Sequence, residues 1–289
     1  MSLVQVIILA VVQGLAELLP VSSSAHVIVA EKLMGLDPSS PPLTLLLVML
    51  HTGTMFAVIV YFWRQWQSTY FRSSDVFRKF AGQVVLATLL TGVVGEVCLK
   101  LIEKTIFRNL PHAQIEDLFG HLEIVAPALA LAGVLILIAG IFERRSRAGN
   151  RAEGGEINAA QAGLIGTVQG ICLPFRGFSR SGATISAGML AGVAKSSAET
   201  FSFALAVVLT PAVVAREVLR LVQAERISGT AQLASAVLPS LIGAGFAFVA
   251  GLLALRWLTK WLEGGRWYLF GIYCLVAAAI AAALRRAGY

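Results

Sequence analysis

Six apolar stretches, 43–63, 81–102, 123–142, 201–222, 231–256 and 267–284, are each long enough to cross a hydrocarbon core of about 30 Å at a rise of about 1.5 Å per residue. Two further apolar regions, 3–36 and 158–194, are each split in the middle by a polar cluster bearing proline or glycine. The pattern predicts six transmembrane helices and two re-entrant helical hairpins, each made of two short helices. Backbone freed at such a break is tolerated at membrane depth only where it is buried in protein or lines a wet cavity. A cavity is therefore expected at each break.

The two split regions repeat one another. Gln13-Gly14 and Gln169-Gly170 are 156 residues apart, as are Ser23 and Ser179, and Met34-Gly35 matches Leu190-Ala191-Gly192. The spans near 43 and 201, and those at 81–102 and ending near 256, correspond at nearly that offset. Three spans separate the hairpins, and an odd number of crossings turns the second copy upside down. The expected architecture is an all-α inverted repeat: one membrane domain over 1–289, with repeat one at about 1–105, a linking span at 123–142, repeat two at about 158–258 and a final span at 267–284. In such repeats the broken helices meet near the midplane, where the site lies.

Composition agrees with a lipid-facing chain. Of 289 residues, 57% are hydrophobic and 13% charged, with a mean hydropathy of +0.78, against about 25% charged in soluble domains. A soluble globular protein is excluded. The net charge of +7 sits in short loops, which argues for cytoplasmic loops and against nucleic acid. Arg64, Arg72, Arg78 and Lys79 in 64–80, Arg144, Arg145, Arg147 and Arg151 in 143–156, and Arg256, Lys260 and Arg266 mark three basic segments expected in the cytoplasm. Loop 103–122, with Glu103, Glu116 and Asp117 against Lys104 and Arg108, falls outside, and Arg285 and Arg286 fall outside against the rule. Trp63, Trp66, Trp257, Trp261 and Trp267 read as interface anchors. Cys98, Cys172 and Cys274 lie in apolar runs without metal or disulfide spacing and read as small core residues. The N-terminal run has no basic n-region and carries Glu17 and Pro20, so it reads as structure rather than a signal peptide.

Chemistry concentrates at the breaks. The first reads Q-G-L-A-E-L-L-P-V-S-S-S-A-H from Gln13 to His26, and ionisable groups at membrane depth are functional candidates. Glu17 and Gln13 share a helix face. Ser22, Ser23 and Ser24 follow Pro20 and can cap the returning helix, whose free N–H groups make an anion site. The second break, from Pro174 to Thr184, offers Arg176 and Arg180 for phosphate oxygens, with Gly177 and Gly182 allowing close backbone approach and Ser179, Ser181 and Thr184 beside them. Together these residues predict phosphoryl chemistry: Arg180 and backbone N–H groups hold the phosphate, a serine or an activated water attacks, and His26 or Glu17 moves the proton. The duller alternatives are serines that only cap helices, a structural Glu17–Arg180 ion pair, and a hydrogen-bonded His26. G-F-S-R-S-G resembles a nucleophile elbow but follows no strand. His51 reads as local packing, His112 and His121 as solvated loop residues, and Glu96 with Lys100 as an i, i+4 pair within the bundle; Glu199, Arg216 and Glu217 near span ends can snorkel.

The two motifs Q-G-L-A-E-L-L-P-V-S-S-S-A-H and R-G-F-S-R-S-G-A-T-I-S closely resemble the signatures of the bacterial undecaprenyl-diphosphate phosphatase family of the bacitracin-resistance type, and F-S-F-A-L-A after the second motif extends the likeness over nearly the whole chain. The resemblance implies a polyprenyl diphosphate lipid as substrate, hydrolysed at the outer face of the bacterial cytoplasmic membrane to recycle the carrier lipid for cell-wall synthesis. It implies dependence on a divalent cation, Mg²⁺ or Ca²⁺. By the resemblance Glu17 is the catalytic acid and the metal ligand, Ser22 and Ser23 are the motif serines, His26 is the motif histidine and Arg180 the essential arginine. Two positions depart from the family: Gln13 stands for a glutamate and Arg176 for a proline. Losing an acid weakens a Mg²⁺ site, and the fixed charge of Arg176 reads as compensation at a diphosphate. Expected partners are the lipid substrate and membrane lipids, with no nucleic acid and with a homodimer left open. A transporter of undecaprenyl phosphate using the same cavity without chemistry, or an enzyme acting on another lipid phosphate, is the alternative.

Overall fold

Ten helices carry the chain, in a computed structural model that describes residues 1–37, 40–105, 122–148, 156–175, 177–228, 232–262 and 266–286. They are α1 (Leu3–Leu18), α2 (Ser23–Leu33), α3 (Pro41–Tyr70), α4 (Ser74–Thr105), α5 (Leu122–Ala148), α6 (Ala159–Cys172), α7 (Arg180–Leu190), α8 (Lys195–Ser228), α9 (Gln232–Leu262) and α10 (Trp267–Arg286). Among the described residues there is no strand. Among the described residues α3, α4, α5, α8, α9 and α10 are the six helices long and apolar enough to cross a membrane, so the chain is a multi-pass membrane protein. α1, α2, α6 and α7 have 16, 11, 14 and 11 residues, and at about 1.5 Å per residue none reaches across about 30 Å.

Each short pair is bounded in the same way. α1 starts on a capping box between Ser2 and Gln5, and α6 on one between Asn158 and Gln161. α2 and α7 stop just before Gly35 (φ 68°) and Gly192 (φ 82°), both left-handed, a conformation glycine adopts without steric cost. The local stop and start signals therefore repeat along with the polar clusters. Packing repeats too: α1 lies against α9, and α6 against α4. Small residues make these contacts close. A Cβ on Gly14 would fall 2.5 Å from Ala250 Cβ, and one on Gly166 would collide with the Ala87 carbonyl, as expected of helices that associate by backbone approach in lipid. Thr91 on α4 donates to the Gly166 carbonyl of α6 at 2.9 Å.

The long helices overrun the apolar stretches that predicted them. α3 continues to Tyr70 and α4 begins at Ser74, so most of the expected basic loop 64–80 is helix projecting past the apolar span. The overrun corrects two of the tryptophans. Trp66 is buried with Phe62 and Phe203, its indole donating to the Thr200 carbonyl at 3.3 Å. Trp267 is 1% exposed and donates to Ser186 Oγ at 3.1 Å. Both are core residues rather than interface anchors, whereas Trp63 and Trp257 are exposed and the Trp261 side chain lies outside the described residues. Cys172 and Cys274 are buried, Cys98 only partly. Glu96 pairs with Lys100 at 3.3 Å, but on the exposed side of α4 rather than within the bundle. Glu199 does not snorkel outward: its Oε1 is buried without a hydrogen-bond partner.

The expected basic segments gather at one end of the bundle. Arg72 and Lys79 reach Glu156 at 2.8 and 3.0 Å, Lys195 lies 3.7 Å from Glu143, and Arg144 stacks 5.0 Å over the Tyr268 ring. Most of loop 103–122, with His112 and His121, lies outside the described residues.

Candidate active site

Both helix breaks are built by residues that cannot continue a helix. After α1, Pro20 lacks an N–H to donate, and the chain turns with Val21 N bonded to the Leu19 carbonyl at 2.8 Å. Ser22 then adopts φ 65°, the one non-glycine residue with positive φ among those described. A β-carbon in this region costs about 1–2 kcal/mol, and such strain gathers at functional sites. Ser22 stands at the N-cap of α2 but does not cap it through its side chain; its hydroxyl meets Ser24 Oγ at 3.3 Å. The strained Ser22 carbonyl is held by the His26 ring, whose Nδ1 donates to it at 2.7 Å. With Nδ1 protonated, Nε2 accepts from the Tyr273 hydroxyl of α10 at 2.7 Å.

The second break turns between Phe175 and Arg180. Gly177 has φ 109°, and a Cβ there would fall 2.5 Å from the Val125 carbonyl of α5. Ser179 caps α7 by accepting from Gly182 N at 3.2 Å. The two breaks touch: Gly177 N donates to Ser24 Oγ and Ser181 Oγ donates to the Leu19 carbonyl, both at 3.3 Å. Helix starts from two distant parts of the chain therefore face one space, lined by Ser23 and Ser24 of α2 and by Arg180 and Ser181 of α7.

Glu17, 7% exposed, is the hub. Its Oε1 accepts from Arg180 Nη2 at 2.6 Å, and its Oε2 from Ser23 Oγ at 2.5 Å and Gln13 Nε2 at 3.0 Å. His51 of α3 brings Nε2 to 3.4 Å from the same Oε2. Its Nδ1 donates to the Leu47 carbonyl at 2.9 Å, which fixes the ring with Nε2 turned toward the carboxylate. Burying an isolated carboxylate costs several kcal/mol; the donors of Arg180, Ser23 and Gln13 offset that cost.

These groups line one cavity of about 930 Å³ between the two breaks, α3 and α8. Ser22, Ser23, Ser24, Ser179, Arg180 and Ser181 are in its wall. Gly182 packs under Ile136, and Thr184 lies behind Arg180, donating to its carbonyl at 2.8 Å and meeting Ser202 Oγ at 2.6 Å. Arg176 lies outside the described residues. His26 is not brought to Glu17: its ring stacks on Tyr273 and does not line the cavity. His51, read from sequence as packing, is in the wall. So are Glu217, Arg220, Lys32 and Asp37. The signal for His51 was available, because Thr44, Leu47, Val48, His51 and Met55 form one helical stripe and all five line the cavity.

The arrangement can do base-assisted phosphoryl transfer. A hydroxyl on a carboxylate is a nucleophile next to its base, and the base is itself oriented by Gln13 and Arg180. Arg180 Nη1 and Gln13 Oε1 are buried without partners, one donor and one acceptor beside the anion-binding helix starts. For a divalent cation the donor set is poor: among the described residues no three His, Cys, Asp or Glu side chains converge, and both oxygens of Glu17 already accept from protein donors.

Sequence comparison gives the family. A profile described as bacitracin resistance protein BacA matches residues 6–280. The chain is 55% identical to undecaprenyl-diphosphatase 2 of Acinetobacter baylyi over 97% of each chain. It is 35% identical to undecaprenyl-diphosphatase 2 of Burkholderia ambifaria, over 96% of this chain and 95% of that one, and 30% identical to the undecaprenyl-diphosphatase of Rhodopirellula baltica over 96% of each. With both motifs at the hub of the site and the match running nearly end to end, the chain belongs to the bacitracin resistance protein BacA family.

Proposed function

We propose that this protein hydrolyses undecaprenyl diphosphate to undecaprenyl phosphate and inorganic phosphate, returning the carrier lipid to cell-wall synthesis. The observation that carries the reading is Ser23 Oγ at 2.5 Å from Glu17 Oε2, with Arg180 at 2.6 Å on the other oxygen. The names of the relatives, matched over nearly full length, support the same substrate. In the reaction, Ser23 Oγ attacks the terminal phosphorus and its proton passes to Glu17. The bond from that phosphorus to the bridging oxygen breaks, and undecaprenyl phosphate leaves. Water then attacks the phosphoserine, yielding inorganic phosphate and returning the proton to Ser23 Oγ. Arg180 and the first-turn amides of α2 and α7 hold the equatorial oxygens. His26 acts as a positioning residue, fixing the Ser22 carbonyl and hence the strained turn that presents Ser23.

A cavity of about 930 Å³ suits a diphosphate head and the first isoprene units, leaving the rest of the tail in lipid. The architecture that fits is an inverted repeat, with α1–α2 entering from one face and α6–α7 from the other. The equal offsets of the polar clusters and capping boxes, and the reciprocal packing of α1 on α9 and α6 on α4, support it. By loop charge the α1–α2 side faces outward from the bacterial inner membrane, and the carrier lipid's head is met from that side. The resemblance implies a divalent cation at Glu17, but the donors already on that carboxylate do not fit one.

Purified protein in detergent, given undecaprenyl diphosphate, should release inorganic phosphate. Glu17→Gln and Ser23→Ala should each lower the rate by about 10²–10⁴-fold, and Arg180→Ala by a comparable factor. Tight binding of undecaprenyl phosphate with no phosphate release from the diphosphate would overturn the reading in favour of a carrier.

A further inference from the structure

Deepening the phosphatase reading and resting on it, we propose that this chain works without a resident divalent cation, the place of the cation beside Glu17 being filled by the donors of Gln13, Ser23 and Arg180. Mg²⁺ requires a near-octahedral shell of oxygens, and Ca²⁺ six to eight of them, with carboxylates supplying the charge. Among the described residues Glu17 stands without a second acid in contact. Its Oε2 already accepts from Ser23 at 2.5 Å and Gln13 at 3.0 Å, with His51 Nε2 a further 3.4 Å neighbour. A cation approaching Oε2 would have to displace those donors. A cation approaching Oε1 would meet the Arg180 guanidinium, 2.6 Å from that oxygen. A carboxylate offers about four lone-pair sites, and four protein groups surround this one.

Charge leads to the same conclusion. One carboxylate against one guanidinium leaves no net negative charge to attract a doubly charged ion. Gln13 is the decisive residue. A carboxylate in its place would set two anionic oxygens against each other at hydrogen-bond distance, a pair that ionises fully only with a cation between them. The Gln13 amide brings its own hydrogen to that contact instead. The phosphate is left to Arg180, whose Nη1 is buried and unpartnered, and to the helix starts. In this arrangement guanidinium and amide groups carry the charge stabilisation that a metal supplies elsewhere.

The test pairs the full-length wild-type protein with Gln13→Glu. In wild type, phosphate release from undecaprenyl diphosphate should stay within about twofold on adding a chelator of divalent cations, and Mn²⁺ titrated into substrate-free protein should give no bound signal by electron paramagnetic resonance. Gln13→Glu should acquire a bound Mn²⁺ signal and lose about tenfold or more of its activity in chelator. Loss of wild-type activity in chelator with restoration by Mg²⁺, or a stoichiometric Mn²⁺ signal in wild type, overturns the proposal. If Gln13→Glu is inactive, its Mn²⁺ signal still decides: absence of binding there overturns the role assigned to Gln13. Wild type that releases no phosphate with or without Mg²⁺ counts against the phosphatase reading alone, since the Mn²⁺ titration remains informative.

Discussion

Ser22 is held in a conformation that its own β-carbon resists, and the rest of the first break explains why it stays there. The His26 ring donates to the Ser22 carbonyl at 2.7 Å and is itself fixed by Tyr273, so two side chains from different helices hold one backbone unit. Replacing Ser22 by glycine removes a penalty of about 1–2 kcal/mol in the left-handed region, though glycine also loosens the unfolded chain by a fraction of that. Ser22→Gly should therefore leave thermal stability unchanged or slightly raised while lowering phosphate release, because the turn presenting Ser23 is no longer pinned. Thermal unfolding in detergent and a rate assay on the same preparation check this. A fall in melting temperature as large as that of Ser22→Ala would show that the φ angle is not a source of strain. The pairing of Glu17 with Arg180 was legible in the sequence, since neither charge can stand alone in an apolar hairpin. The direction of His26 was not, because one turn of α2 carries both faces and only the position of α10 decides which of them His26 uses.

At the scale of the elements, the second break depends on a close approach as well as on hydrogen bonds. Gly177 has φ 109°, with Val125 of α5 pressed against the place where a β-carbon would be, and its N–H reaches Ser24 Oγ at 3.3 Å. Gly177→Ala is strained twice, by backbone conformation and by the contact with Val125. It should withdraw the loop from Ser24 and shift Arg180, which begins α7 three residues later. Expected is a loss of about tenfold or more in phosphate release with KM raised, while Gly192→Ala, equally left-handed but with open space around its Cβ, should cost stability without changing KM. Equal effects of the two on KM would contradict a role for the Val125 contact. The existence and order of the elements could be read from apolar length and from Pro20, Gly35 and Gly192. Their ends could not: the apolar stretch stops near residue 63, but α3 runs on to Tyr70 because helical hydrogen bonding does not require an apolar side chain. That extra length carries Trp66 onto Thr200 and into the core.

Across the whole molecule, the site lies where two helix breaks from opposite halves of the chain touch, and the decisive question for the proposed inverted repeat is which face each short helix pair enters from. Arg72 and Lys79 hold Glu156, so the turn between α3 and α4 shares an end of the bundle with the start of α6. α3 runs from Pro41 to that end, which leaves the start of α3, just after α2, at the other. In the orientation proposed from loop charge the shared end is cytoplasmic. A cysteine at Ser2, ahead of α1, should then react with a membrane-impermeant maleimide on spheroplasts of a Gram-negative host, in a chain otherwise cleared of Cys98, Cys172 and Cys274. A cysteine at Asn158, ahead of α6, should react only after permeabilisation, as should one at Ser73. Mass-shift detection reads all three positions in one gel. Labelling of Ser2 and Asn158 from the same side would remove the inverted repeat and require the two helix starts around Glu17 and Arg180 to reach the cavity from one face, a geometry in which α1 and α6 could not pack reciprocally on α9 and α4.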